Sequence, residues 1–462
     1  MTAIVIHNAA VVTVDDQDTV HYGGAVAIEG KRIAAVGPSA EILARYPGAE
    51  KVDGTGKMVM PGFCNIHTHL TMTLARGVFE DLSPPHKPPF SGGLSPIPLP
   101  EMTPEERRAM AQLGALEALR SGTTHVLEDS NDIDHYAGAL GDTGMRWLLA
   151  ERAYDRIGTS IGDPAPFKLD RALGQRHLKN IERNHRDWNG KADGRIRIAI
   201  SAWAPDMCSP ELLADLGALQ KQLDTRITIH LNQIWGEVAA VRAHRNRLPT
   251  EYLADLGFLN DRVICAHCRC MEPAEEKILG QAKVNVSFNS AIAARRGLSP
   301  RVTDLEKHGC NVGMGSDNMA EDMVEVVRTG LFMERVRRED GRQPTPEQVL
   351  RWATRNGYRA LGVPDGGWLA AGNKADLIMI DLQRAHLIPV LRVVSDFVHN
   401  GQARDVQSVM VDGKWLMKDG AVLTMDEPAI LKEAQRVANA AWSKTFKSRF
   451  KPPAGFAPDA LP

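Results

Sequence analysis

The chain has 462 residues, with 55 Lys and Arg against 57 Asp and Glu and a formal charge of −2. Such a mixed, near-neutral surface gives no nucleic-acid footprint and no basic block for a membrane surface, so a small-molecule substrate is expected, with neither nucleic acid nor membrane as partner. Six cysteines do not make a secreted disulfide framework in so long a chain; no apolar run reaches membrane-spanning length, and Met1-Thr2-Ala3-Ile4-Val5-Ile6-His7 lacks a charged, apolar leader, so a cytoplasmic protein is expected.

From Ile4 to Val59 short strands alternate with turns such as Glu29-Gly30-Lys31, and the same texture returns from Asp376 to about Leu423. The two stretches are expected to pair. The next run, Met60-Pro61-Gly62-Phe63-Cys64-Asn65-Ile66, ends in His67-Thr68-His69. On a strand, side chains at i and i+2 share a side, so these imidazoles can face one ion. Residues 70–102 are long and rich in Pro, Gly and Ser, the composition of a lid or binding loop, which makes His86, Lys87 and Phe90 candidate substrate contacts. Thr103-Pro104-Glu105-Glu106 reads as a capped helix start running to Ser121-Gly122, and His125-Val126-Leu127 as the strand after it. Glu128-Asp129-Ser130 closes that strand, and Arg152 closes Trp147-Leu148-Leu149-Ala150-Glu151. Further on, the β-branched runs from Thr225, Arg262 and Asn311 lead to His230, His267 and Asp317. Buried strands alternating with helical segments, with polar residues at their C-terminal ends, are the pattern of a parallel (β/α) barrel whose chemistry sits at that face. The constellation points to a barrel metallohydrolase. Cys265, Cys268 and Cys270 lie in one strand–loop junction without a distant second pair, so packing is expected, with Cys268 or Cys270 near enough to line the pocket. After Glu427 a helical pattern runs to Lys447, followed by a Pro-rich tail.

Ile4-Val5-Ile6-His7-Asn8-Ala9, Pro61-Gly62-Phe63, His67-x-His69, Gly122-Thr123-Thr124, His230, Ala266-His267, Gly315-Ser316-Asp317 and Asn373-Lys374-Ala375-Asp376-Leu377 together resemble the amidohydrolase superfamily over nearly the whole chain. The branch is that of cytosine-, guanine- and adenosine-type deaminases and s-triazine chlorohydrolases. The resemblance implies an α/β architecture: a (β/α)8 TIM-type barrel over 60–367, a small β-sandwich formed from 1–59 and 368–425, and a C-terminal helix and tail over 426–462. It implies one divalent ion on His67, His69, His230 and Asp317, with an open position for water; such an ion lowers that water's pKa to about 7. Zinc is the default, and iron or cobalt also accept these ligands. Asp317 would take the water's proton and His267 would sit beside the ion. Binuclear relatives carry a carboxylated lysine on the fourth strand, whereas Ile196-Arg197-Ile198-Ala199-Ile200-Ser201 has none, so a single ion is expected. A homo-oligomer is also expected.

One departure stands out. Deaminases of this branch carry glutamate three residues after the fifth-strand histidine, and this chain reads His230-Leu231-Asn232-Gln233. A carboxamide hydrogen-bonds but does not cycle a proton. Glu237, one helical turn on, is either the substitute carboxylate or a solvated surface residue. Without a substitute acid, the first expectation is attack on the carbonyl of a small amide, urea, carbamate or thiocarbamate, as in the phenylurea and thiocarbamate hydrolases of the branch. The alternative is an aminohydrolase or chlorohydrolase of an N-heteroaromatic ring such as an s-triazine, purine or pterin. A non-catalytic scaffold is the third reading. Arg152 is expected either to bind a substrate carbonyl or carboxylate or to pair with Glu151 or Asp155; Trp235 and Asn289 to border the pocket; Asn318 to tune Asp317; and Asp322 and Glu325 to cap or solvate the next helix.

Overall fold

The computed structural model describes residues 3–80 and 98–446. Eight parallel strands close into a barrel in the order in which they occur along the chain: β1 (Phe63–Thr68), β2 (Thr123–Ser130), β3 (Arg146–Ala153), β4 (Ile196–Ala202), β5 (Ile227–Leu231), β6 (Val263–His267), β7 (Asn285–Phe288) and β8 (Asn311–Met314). β1, β2, β5, β6 and β7 are buried at every position, because helices cover their outer face while side chains fill the barrel. Closure is made where β8 meets β1, through Met314 opposite Asn65 and a bridge between Thr68 and Asp317.

The helix between β1 and β2, Pro104–Arg120, starts as the sequence predicts. Thr103 accepts from the Glu106 N–H, the Glu106 carboxylate accepts from the Thr103 N–H, and Pro104 occupies the first turn, where its missing donor costs nothing. Phe63, fully buried at the start of β1, stacks on Phe397 with ring centroids 6.4 Å apart. Burying one such ring contributes about 1.5–3 kcal/mol.

Strands from the two chain ends form one nine-stranded sheet. Leu377–Asp381 pairs antiparallel with Lys57–Pro61, and this pairing joins the two halves. Barrel and sheet are locked together at Arg146. Its Nε and Nη2 donate to the Asp376 carboxylate at 2.6 and 3.0 Å, Nη2 also pairs with Asp412, and the Tyr358 hydroxyl donates to Asp376 at 2.9 Å. The Asp376 of the closing sequence motif is therefore a buried joint. The C-terminal helix, Glu427–Phe446, packs against Pro104–Arg120 and seats the Trp442 indole N–H on the Leu74 carbonyl at 2.8 Å. No helix among the described residues is long and apolar enough to cross a membrane. The Pro-rich tail, and His86, Lys87 and Phe90 of the candidate loop, lie outside the described residues.

Candidate metal centre

The C-terminal ends of β1, β2, β5, β6 and β8 bring His67, His69, Asp129, His230, His267 and Asp317 together. Ligand atoms of His67, His69, Asp129 and His230 lie within 4.8 Å of one another, as do those of His67, His267 and Asp317. All six are buried.

Hydrogen bonding decides which nitrogens face inward. His69 Nδ1 meets the Asp129 carbonyl at 2.6 Å and His230 Nδ1 meets the Trp203 carbonyl at 2.7 Å. A carbonyl only accepts, so each Nδ1 carries the proton and each Nε2 keeps a bare lone pair. Those two Nε2 atoms face each other at 3.2 Å, and two acceptors so placed need a cation between them. Neither ring nitrogen of His67 has a partner among the described residues. Asp317 Oδ1 is 3.7 Å from His69 Nε2. The donor set of three imidazoles and a carboxylate fits a divalent metal. Burial, first of all, holds the His67, His230 and His267 imidazoles well below their ordinary pKa, in the neutral form that ligation requires.

The backbone that presents Asp317 is strained and tied to the histidine strand. Asp317 sits at φ 70° and His267 at φ 79°, left-handed conformations costly for side-chain-bearing residues. The Asp317 N–H donates to the His67 carbonyl at 3.0 Å, while its own carbonyl accepts from the His69 N–H and the Thr68 hydroxyl at 2.9 Å each. Behind them Glu321, fully buried, lies 2.7 Å from Thr68 Oγ1 and accepts from Ser316 Oγ at 2.6 Å and Asn65 Nδ2 at 3.3 Å. Gly315 permits this approach: a Cβ there would meet Asn289 Oδ1 at 2.6 Å, the His67 carbonyl at 2.7 Å and Ser287 Oγ at 2.7 Å. Asn65 and Glu321 escaped the sequence reading. Asn65 carried a usable signal, since it shares the strand face of His67 and His69; Glu321 carried none.

His267 donates no hydrogen bond through Nδ1. Ser287 Oγ donates to Asn289 Oδ1 at 2.7 Å, which turns the Asn289 amide so that Nδ2 donates to His267 Nδ1 at 3.2 Å. His267 is thereby fixed as the Nε2–H tautomer, and that donor is buried without a partner among the described residues. Burial raises the Asp317 carboxyl above its ordinary value, opposed by His69, Arg269 and Arg296.

A cavity of about 500 Å³ opens above the centre, lined by His69, His230, Gln233 and Asp317, with Met72, Phe79, Tyr154 and Trp203 supplying apolar wall. Arg152 lines it too. Its ion pair is with Asp129, Nε to Oδ1 at 3.1 Å, in place of the anticipated Glu151 or Asp155, and its guanidinium lies 5.4 Å from the Trp203 ring centroid. Glu151 instead accepts from the N–H groups of Asp132 and Ile133, and Asp155 from Ser209. Asn318 lines the cavity; Trp235 and Asn289, expected to border it, do not, and Trp203, at the end of β4, stands at the mouth. The rule that selected His230, a conspicuous residue at a strand's C-terminal end, would have found it. Cys268 and Cys270 are buried and away from the cavity lining. Asp322 caps the helix Met323–Arg338, and Glu325 pairs with Arg295.

Glu237 corrects both sequence readings of it. It is fully buried, so it is not a solvated surface residue. Both its oxygens are taken by the loop after β5, Oε1 by the Asn232 N–H at 2.8 Å and Oε2 by the Gln233 N–H at 2.7 Å, and it is not among the residues lining the cavity. Burial, with the nearby Asp206 carboxylate, pushes its pKa well up. It braces the loop that carries Gln233 rather than standing in for the missing acid.

The family model described as "Amidohydrolase family" matches residues 58–416. The chain belongs to the amidohydrolase family. A second model, of the bacterial imidazolonepropionase-like composite domain, matches residues 24–49 in the terminal sheet. The amidohydrolase is 33% identical over 444 residues to a 5-methylthioadenosine/S-adenosylhomocysteine deaminase of Pelotomaculum thermopropionicum, covering 95% of this chain and 98% of the relative. It is 33% identical to a 5'-deoxyadenosine deaminase of Methanothermobacter thermautotrophicus, covering 90% and 94%. Among solved structures, a zinc-bound adenosine deaminase from Xanthomonas campestris superposes with a TM-score of 0.84 at 25% identity, over 96% of this chain and 99% of that one. This amidohydrolase is a metal-dependent hydrolase of carbon–nitrogen bonds acting on a small molecule, which sets the scaffold reading aside.

Proposed function

We propose that this amidohydrolase cleaves the C–N bond of a small amide, urea, carbamate or thiocarbamate at its carbonyl carbon. The observation that carries the reading is Gln233. It lines the cavity beside the metal-ligand cluster, where the branch places a proton-cycling glutamate, and Glu237, its nearest substitute, is held by two backbone N–H groups. A heteroaromatic ring needs a proton delivered to a ring nitrogen as well as to the leaving amine; a carbonyl substrate needs only the second. His67, His69, His230 and Asp317 would hold one divalent ion, zinc by donor type, which would acidify a water and act as a Lewis acid. Asp317 accepts the water's proton and returns it to the departing nitrogen. The His267 Nε2–H donates to the carbonyl oxygen as negative charge builds there, and the Gln233 carboxamide orients the substrate by hydrogen bonding. The apolar wall of Phe79, Tyr154 and Trp203 suits an aryl or alkyl arm.

A second reading, ring aminohydrolysis, is favoured by relatives named as 5-methylthioadenosine/S-adenosylhomocysteine and 5'-deoxyadenosine deaminases over 95% and 90% of the chain. Mass-resolved product analysis of the metal-loaded protein against aryl ureas, amides and thiocarbamates, alongside purine nucleosides, pterins and triazines, separates the two. Amine or thiol release from a carbonyl compound supports the proposal. Ammonia or chloride release from a ring, with carbonyl compounds inert, overturns it.

A further inference from the structure

The barrel face opposite the metal centre, at the N-terminal ends of β5 to β8, holds a larger cavity of about 740 Å³. Arg226, the residue before β5, lines it. This side chain is half-buried, and its guanidinium makes no hydrogen bond or ion pair among the described residues. Arg197 reaches the same spot from β4: a Cβ on Gly362 would lie 3.0 Å from Arg226 Nη2 and 3.5 Å from Arg197 Nη1. Arg197 donates only to the carbonyls of Leu361 and Gly362, at 3.1 and 3.4 Å. The two guanidinium groups are therefore neighbours without an ion pair among the described residues, although Arg226 alone of the two lines this cavity and the Asp224 carboxylate lies within charge range of both. Burial, followed by the like charges of Arg197 and Arg262, pulls Arg226 below its ordinary pKa, opposed by the Asp261 and Asp224 carboxylates.

A half-buried cation beside a like charge is unfavourable until a counter-charge arrives. The protein supplies part of one, from Asp261 and from Asp224, which is itself paired with Arg262. Of the two carboxylates in the lining, Glu306 is engaged by Gln348 Nε2 at 2.6 Å and Trp352 Nε1 at 2.9 Å, while Asp261 is exposed. Lys283 and Arg359, both exposed, add two more cations at the rim. The planar guanidinium fork matches a phosphate oxygen pair, and the volume falls in the range of roughly 300–1,000 Å³ typical of small-molecule sites.

We propose that this cavity is a second, non-catalytic site that binds a phosphate group through Arg226, with Lys283 and Arg359 closing over it. The site is independent of the reaction assigned to the metal centre. The test is isothermal titration of the full-length, metal-loaded protein with inorganic phosphate and with glycerol 3-phosphate, at fixed ionic strength, for wild type, Arg226→Gln and Lys283→Gln. Saturable binding, weakened at least tenfold by Arg226→Gln and about threefold by Lys283→Gln, with turnover in phosphate-free buffer unchanged, is the expected result. Tighter binding of the monoester would identify a phosphorylated metabolite as the ligand, and equal binding would identify free phosphate. If Arg226→Gln does not fold, the Lys283→Gln weakening decides alone, since that exposed turn residue supports no packing. Absence of saturable binding, or equal affinity in wild type and variants, as phosphate on the metal centre would give, overturns the proposal.

Discussion

Replacing Glu237 separates a loop brace from a catalytic acid. Glu237→Ala removes the acceptors of two buried backbone donors, the N–H groups of Asn232 and Gln233 at 2.8 and 2.7 Å. A buried donor left without a partner costs about 1–3 kcal/mol, so the pair costs about 2–6 kcal/mol. Removing the carboxyl also relieves its repulsion with Asp206, which returns part of this and leaves an expected net loss of at least about 2 kcal/mol. Glu237→Gln keeps one acceptor and sets its amide N–H₂ against the other N–H, so it should lose roughly half as much. The assay is urea denaturation with a fixed m-value, together with the pH–rate profile of the folded enzyme. A brace moves the urea midpoint in the order wild type, Gln, Ala and leaves the shape of the profile alone. A Glu237→Ala protein with the wild-type midpoint and a lost acidic or basic limb would refute the reasoning and return Glu237 to the substrate.

Asp317→Asn is expected to lower kcat by at least about 10²-fold with an unchanged thermal midpoint, because a base is removed from a backbone that other contacts hold; near-wild-type turnover would remove Asp317 from its role. Arg146→Met leaves the Asp376 and Asp412 carboxylates buried without their cation, and should lower stability by about 3–5 kcal/mol in chemical denaturation. For Glu151, burial raises the pKa to about 7 from 4.5. A carboxyl raised on folding contributes stability that is full below pH 4.5 and is lost as pH rises through 7. Wild type should therefore lose up to about 3 kcal/mol relative to Glu151→Gln between pH 4.5 and 8. Parallel stability–pH curves would count against that shift.

Much of the candidate metal centre was legible because it depends on local geometry. A strand repeats every second residue, so His67 and His69 had to share a face. A parallel barrel gathers the C-terminal ends of its strands, so residues that end β-branched runs, His230, His267 and Asp317, had to converge. The barrel, the pairing of the two chain ends and the capped helix after the long loop follow from the same short-range patterns. The lysine-free fourth strand and the carboxamide at 233 were likewise visible as single letters. What helical spacing did not reveal was the direction of Glu237: a residue one turn beyond Gln233 can face solvent, substrate or its own loop, and only the fold turned it onto the two N–H groups behind the cavity.

Partners distant in sequence were decided by tertiary structure alone. Arg152 had acidic neighbours at 151 and 155, yet Asp129 receives it, because β2 and β3 lie side by side and the nearer carboxylates are spent on the backbone of Asp132 and Ile133 and on Ser209. Asp376 read as a family landmark and became the counter-ion of Arg146, 230 residues away. That the Arg226 guanidinium makes no hydrogen bond or ion pair among the described residues gave no sign in the sequence, since nearby Asp224 pairs with Arg262 instead. The sequence by itself determined which residues stand at the strand ends, since that follows from backbone periodicity. The tertiary structure decided which charges meet, because ion pairs and buried hydrogen bonds depend on distances that residue order does not contain.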